Sequence, residues 1–223
     1  MSSRPENPNK RRIRAAAFTL MQEKGYSASS YTEIALRSGC GRPLVQRHFP
    51  KKELFILELV SQAAARCREL LSEAGVRDSF PVTRALHLTQ LYLSLLLYDR
   101  SMIALTRDVL SQRCIMSDII MLHYQSAFSF STGAPDAACH QSAVKAMGGT
   151  YELIVDLADN DAPLDAGDLA AQTLAAYVCF TTNAAYGDAY QSMRRALLPR
   201  ELMAKLVPHV IATLRGDLSS GKA

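Results

Sequence analysis

Apolar residues recur at helical spacing along nearly the whole 223-residue chain, and alternating runs of β-branched residues are missing. From residue 10, Ile13, Ala16, Ala17, Leu20 and Met21 follow the i, i+3, i+4, i+7, i+8 rule of an amphipathic helix; Lys24 and Gly25 end it through the helix dipole and a left-handed cap. Residues 1–8 carry two prolines and no periodicity, and read as an arm. A second helix is expected from Ser30 to about Ser38. Its opening, Ser30-Tyr31-Thr32-Glu33, has capping-box form, Gly39 stops it, and Ile34 and the small Ala35 face inward. A third begins at Pro43, with Gly41 or Arg42 at the cap, and ends near Phe49, before Pro50. A long fourth helix follows, with Phe55, Ile56, Leu59, Val60, Ala63, Ala64, Cys67 and Leu71 on one stripe.

Further helices are expected near 82–97, 100–112, 115–130, 136–158, 166–190 and 200–216, separated by turn-rich stretches at 75–81, 98–100, 113–114, 133–135, 160–165 and 198–199. The pattern predicts an all-α protein without an internal repeat.

Charge divides this chain. Residues 1–52 hold 11 Lys+Arg against 3 Asp+Glu, a net of +8, and the remainder holds 14 against 18, a net of −4. A basic first quarter on a mildly acidic body suggests a nucleic-acid-facing module; a merely solvated basic face is the bland alternative. The longest apolar run, 91–98, is far below the roughly 20 residues of a membrane span, so no membrane partner is expected. Lys10-Arg11-Arg12 before residues 15–21 loosely mimics a signal peptide, but Arg14 interrupts it and Gln22-Glu23-Lys24 follows, which points to a helix and a cytoplasmic protein. The five cysteines are scattered, without a C-x-x-C pair. Neighbours Cys139 and His140 point about 100° apart on a helix, so neither a metal site nor a cofactor is expected.

Two short helices joined by Gly39-Cys40-Gly41 and preceded by a supporting helix make a helix-turn-helix. With Val45 and Phe49 against Ile34 and Ala35, the residues Arg42, Leu44, Gln46 and Arg47 lie on or near the outer face, suited to guanine, thymine methyl and adenine edges in the major groove. Tyr31 and Thr32 at the second helix's start, with Lys51 and Lys52, suit phosphates.

The stretch "KRRIRAAAFTLMQEKGYSASSYTEIALRSGCGRPLVQRHFPKKELF" resembles the DNA-binding module of TetR-family transcriptional regulators, through the paired alanines and Leu20, Lys24-Gly25-Tyr26, Ile34-Ala35, Gly39, and above all His48-Phe49 followed by Pro50, Lys52 and Leu54. It departs from that family at Gln46, where a phosphate-contacting Tyr is usual, at Pro43, usually a small or polar residue, and at Gly41, usually a capping Ser or Thr. The resemblance adds Pro43 and His48 to the DNA-facing set. It implies an N-terminal arm over 1–9, the DNA-binding module over 10–55, and a helical ligand-binding and dimerisation domain over 56–223.

It further implies a homodimer on a double-stranded DNA operator. Ala170, Ala171, Ala175, Ala176, Ala184 and Ala185 permit close helix approach, which places the interface in 166–190 with 137–158 as partner and 200–216 as a competing candidate; core packing of a monomer is the alternative. A small-molecule pocket among the central helices is implied too, with Met102, Met116, Met121, His123, Tyr124, Phe128, Tyr151 and Asn183 as candidate lining, because thioethers and aromatics with a few polar tips suit an apolar ligand. The expected function is a ligand-responsive repressor released from a palindromic operator. A helical enzyme is the rival class, yet G-x-S-x-G, the phosphate-cradling loops, H-E-x-x-H and C-x-x-C are all missing, and no enzyme activity is expected. A third reading, a helical protein-interaction module, leaves the basic N-terminus unexplained.

Overall fold

The computed structural model describes residues 7–77, 80–128 and 137–217. Among them the chain forms eleven helices and no strand: α1 (Pro8–Lys24), α2 (Tyr31–Ser38), α3 (Arg42–His48), α4 (Glu53–Glu73), α5 (Pro81–Leu96), α6 (Arg100–Leu110), α7 (Arg113–Phe128), α8 (Ala137–Asp159), α9 (Ala166–Thr182), α10 (Tyr186–Arg195) and α11 (Arg200–Arg215). None of the described helices is long and apolar enough to cross a membrane.

Local chemistry explains most of the boundaries. Pro8 opens α1 and the Asn7 side chain accepts from Asn9 N at 2.9 Å, so the helix starts two residues before the hydrophobic period does. Ser30 and Glu33 form the expected capping box on α2, and Gly39 adopts φ 62°, the left-handed turn that leads into α3. Gly41 caps α3, which begins at Arg42 and not at Pro43: the proline takes the second position, where its missing N–H is equally harmless.

Two expectations need correction. The helix predicted over 166–190 is two helices. Thr181 and Thr182 hydroxyls donate back to Val178 O at 3.1 and 2.8 Å, Asn183 turns left-handed at φ 57°, and the chain restarts only at Tyr186. Short polar side chains that satisfy nearby backbone groups end a helix, and here they outweigh the alanines around them. Ala184 and Ala185 therefore sit exposed in the break and cannot serve as helix-packing positions. The turn expected at 113–114 lies instead at Ser111–Gln112, since α7 starts at Arg113. The turn expected at 133–135 and the ends of the helices expected on either side of it fall outside the described residues.

Helices α1–α3 pack into a small unit around Ile13, Ala17, Met21, Ile34, Val45 and Phe49, all fully or nearly fully buried. Their core continues without a gap into α4 through Phe55 and Ile56, and α4 in turn packs on α5, α7 and α11. In the body, α5 lies against α9, and α8 against both α9 and α7. Because α11 buries Met203, Leu206, Val207, Val210, Ile211 and Leu214 against α1, α4 and α5, its apolar face is already used inside the subunit.

Candidate nucleic-acid interface and interior cavity

Phe49 anchors the basic surface. Its ring is 1% exposed and stacks on Phe55 with centroids 4.1 Å apart, while the Tyr31 hydroxyl donates to its carbonyl at 2.8 Å. Two further contacts brace the recognition helix. Arg12 donates to Ser38 O at 2.7 Å across the α2–α3 turn, and Lys10 reaches Glu58 of α4 at 2.9 Å. Buried Arg14 also approaches Glu58, at 3.4 Å.

With its inner face held by Val45, α3 presents Arg42, Pro43, Gln46 and Arg47 to solvent. Leu44 and His48 are half-buried at its edges. Thr32 and Lys51 are exposed nearby, on the flanks expected to meet phosphate. Two of the predicted phosphate contacts are already engaged within the fold. Burial raises the Tyr31 phenol above its usual range, and its hydroxyl proton goes to Phe49. Burial lowers the Lys52 ammonium; it donates to Ser27 O at 3.1 Å and lies 4.4 Å from the Tyr26 ring centroid.

Lys52 belongs to a clasp that sequence reading missed. Asp108, on α6 of the body, accepts from Ser27 N at 2.8 Å and Ser27 Oγ at 2.6 Å, which ties the α1–α2 turn to the larger domain. Gly25 makes room for it: the backbone is left-handed at φ 91°, and a Cβ there would lie 2.9 Å from Asp108 Oδ2. Charge-assisted bonds to a half-buried carboxylate are worth about 1–2 kcal/mol together after solvent screening. Asp108→Asn is therefore expected to raise hydrogen exchange of the 25–29 turn several-fold while α8 and α9 keep their protection. Unchanged exchange at that turn would show that the clasp holds nothing.

Behind the module lies an apolar cavity of about 70 Å³, walled by α1, α4, α5, α6, α7 and α11. Phe18 enters from the module, Ile56 and Val60 from α4, Leu105 and Thr106 from α6, and Leu214 from α11.

Of the residues proposed to line a ligand pocket, only Met102 reaches this cavity. Met121 lines a separate surface groove with His48 and Asp118. Met116 is buried in the core. His123 and Tyr151 are buried in a polar chain instead: His123 Nε2 is 3.1 Å from Thr89 Oγ1, its Nδ1 is 2.7 Å from the Tyr151 hydroxyl, and Tyr92 packs on the imidazole at 4.7 Å. Burial drives the His123 pKa down to about 4, so the ring is neutral and uses one nitrogen as donor and the other as acceptor. Tyr124 points elsewhere and meets Tyr177, with ring centroids 6.1 Å apart. Asn183 is the exposed cap of α9, and the Phe128 side chain lies outside the described residues.

The outer faces of α8 and α9 carry Val144, 38% exposed, and Phe180, 51% exposed, with the Lys145 ammonium 5.6 Å from the Phe180 ring centroid. Gly149 opens onto empty space within the same stretch of α8, so its glycine is not required by packing inside the subunit. No group of three or more His, Cys, Asp or Glu that could hold a metal ion occurs among the described residues.

Residues 13–59 match the family of bacterial regulatory proteins, tetR family. No curated protein matches the chain. Among solved structures, similarity is found to a protein from Mesorhizobium loti MAFF303099 assigned to the tetR-family transcriptional regulators, at 17% identity and TM-score 0.46, covering 80% of this chain and 98% of that one. It is found also to the transcriptional regulator FadR from Bacillus subtilis in complex with stearoyl-CoA, at 17% identity and TM-score 0.45, covering 78% and 98%. A third is the fatty acid degradation regulator FadR from Bacillus halodurans, at 15% identity and TM-score 0.45, covering 80% and 97%.

Proposed function

We propose that this protein, whose residues 13–59 match the bacterial regulatory proteins, tetR family, is a ligand-responsive transcriptional repressor, dimeric on a palindromic operator. The observation that carries the reading is α3: a seven-residue helix whose inner side is locked by Val45 and whose outer side offers Arg42, Gln46 and Arg47. A rigid helix with bidentate donors on one face is what a major groove can read. Arg47 and Arg42 suit guanine and Gln46 suits adenine, while Thr32 and Lys51 on the flanks suit phosphate and set the register. Pro43 pre-shapes the first turn of α3.

Dimerisation through α8 and α9 is supported by Val144, Phe180 and the open surface at Gly149. The commitment of α11's apolar face to the subunit interior favours that pair over α11. Control follows from α4, which begins beside α3 and lines the cavity further along. A ligand that prefers one angle of α4 changes the distance between the two recognition helices, and half-sites of fixed spacing then no longer fit both.

Anisotropy titration against DNA from around its own gene tests the reading. Tight, salt-dependent and sequence-selective binding is expected, and equally weak binding to every fragment would overturn it. Lys51→Ala is expected to weaken all sequences alike and to lower the log–log salt slope by about one. Gln46→Ala should cost about 1–3 kcal/mol at a single base pair and leave the salt slope unchanged. If Lys51→Ala altered preference only, the division between phosphate and base contacts would be reversed.

A further inference from the structure

Four arginines converge where the N-terminal module meets the last helix of the body. Arg11 and Arg12 come from α1, Arg37 from the last turn of α2 and Arg215 from the last turn of α11, and with Thr19 they line a surface groove of about 430 Å³. None of the four belongs to α3 or to the flanks assigned to DNA. Gly216 makes the approach possible: it turns left-handed at φ 81°, and a Cβ there would lie 3.2 Å from that of Ala15, so α11 ends directly against α1. The carbonyls at that helix end are answered by Gly216 N and Asp217 N, which donate to Thr213 O at 3.1 Å and Ala212 O at 2.9 Å. Within the fold the arginines' charge is poorly matched. Among the described residues Glu23 is the one carboxylate paired with any of them, at 2.7 Å from Arg37. Arg215 meets the neutral amide of Gln22 at 3.0 Å, and Arg12 spends Nε and Nη2 on Ser38 O at 3.2 and 2.7 Å. Arg11 is exposed without an ion pair among the described residues.

We propose that this groove binds a small molecule bearing two or more linked phosphates. Four guanidinium charges against one carboxylate leave three in excess, and like charges held in one groove repel until an anion enters. Planar guanidinium forks donate in pairs to phosphate oxygens, so linked phosphates can engage several arginines at once where a single small anion engages one or two. The groove's volume falls within the roughly 300–1,000 Å³ of small-molecule sites. Bound there, the phosphates meet arginines of the module and of the body together, which adds a tie through α11 to the one that Asp108 makes through α6. This binding chemistry stands independently of the regulator reading.

Calorimetric titration of the full chain with inorganic pyrophosphate tests this, in metal-free buffer at fixed ionic strength and with sulfate as the single-anion control. Pyrophosphate is expected to bind roughly tenfold tighter than sulfate and to raise the melting temperature. Arg11→Gln and Arg215→Gln, both at exposed positions, should each lose roughly tenfold of that affinity while the free chain melts as the wild type does. Arg47→Gln, on α3, should keep it. Sulfate binding as tightly as pyrophosphate would overturn the ligand class. Unaltered pyrophosphate binding in Arg215→Gln, or an equal loss in Arg47→Gln, would overturn the site and leave a solvated basic face. DNA fragments of two lengths supply the remaining arm, and Arg215→Gln is expected to bind both as the wild type does. Affinity that rises with flank length in the wild type but not in Arg215→Gln would make duplex DNA the groove's ligand and overturn the small molecule.

Discussion

Phe49→Ala is expected to abolish operator binding by loosening the N-terminal module, at a stability cost of about 3–5 kcal/mol. The ring is 1% exposed, stacks on Phe55, and lies beneath the Lys10 ammonium at 5.8 Å from its centroid. Truncation thus leaves a void at the point where α1, α2, α3 and α4 share one core, and relaxation cannot close it without moving α3. The backbone carbonyl that receives the Tyr31 hydroxyl sits at the end of the same helix, so loss of packing also frees that bond. Arg42, Gln46 and Arg47 would remain present but no longer held at one angle. Hydrogen exchange should quicken across 10–55 and stay slow in α8 and α9, while Phe49→Leu should keep most of the affinity. Wild-type operator affinity in the alanine variant would mean that this core does not set the angle of α3.

Acid should destabilise the protein through His123 by up to about 3 kcal/mol between pH 6.5 and 4. The folded-state pKa is lowered to about 4 from the ordinary 6.5 by burial alone. Between those values the unfolded chain binds a proton that the folded chain does not, so stability is full above the unfolded pKa and falls as pH drops toward the folded one. Tyr92 and Tyr151, which face the imidazole, both have pKa values raised by burial and stay neutral throughout. Denaturant melts of the wild type against His123→Phe should show the variant less stable at pH 7 and with a shallower slope below pH 6.5. Imidazole NMR shifts of the wild type should remain those of the neutral ring at pH 5. Parallel slopes in both proteins would assign the acid sensitivity elsewhere.

The cluster around His123 also marks where reading along the chain reaches its limit. His123 and Tyr124 are adjacent and both count as candidate pocket lining by residue type, but neighbours on a helix diverge by about 100°, and α7 sends them to different partners: His123 to Tyr151, Thr89 and Tyr92, Tyr124 to Tyr177. The helix break at Asn183 was not legible: the alanines along 166–190 pointed to one continuous helix, and the hydroxyl-to-backbone bonds of Thr181 and Thr182 that end α9 appear only in the folded chain. Asp108 was not legible at all. It lies 81 residues from Ser27, and no spacing rule links a carboxylate on one helix to a turn that far away.

By itself the sequence determined the helical class, the capped α2, the Gly39 turn and the basic outer face of α3. These depend on contacts within a few residues, where side-chain chemistry and backbone geometry decide together. Only the tertiary structure decided which apolar stripes share a core, that α11 faces inward, that Asp108 clasps the α1–α2 turn, and that six helices leave an apolar cavity behind the module. Hydrophobic burial is non-directional: it requires that each stripe be covered, and the partner that covers it is chosen by how the helices pack.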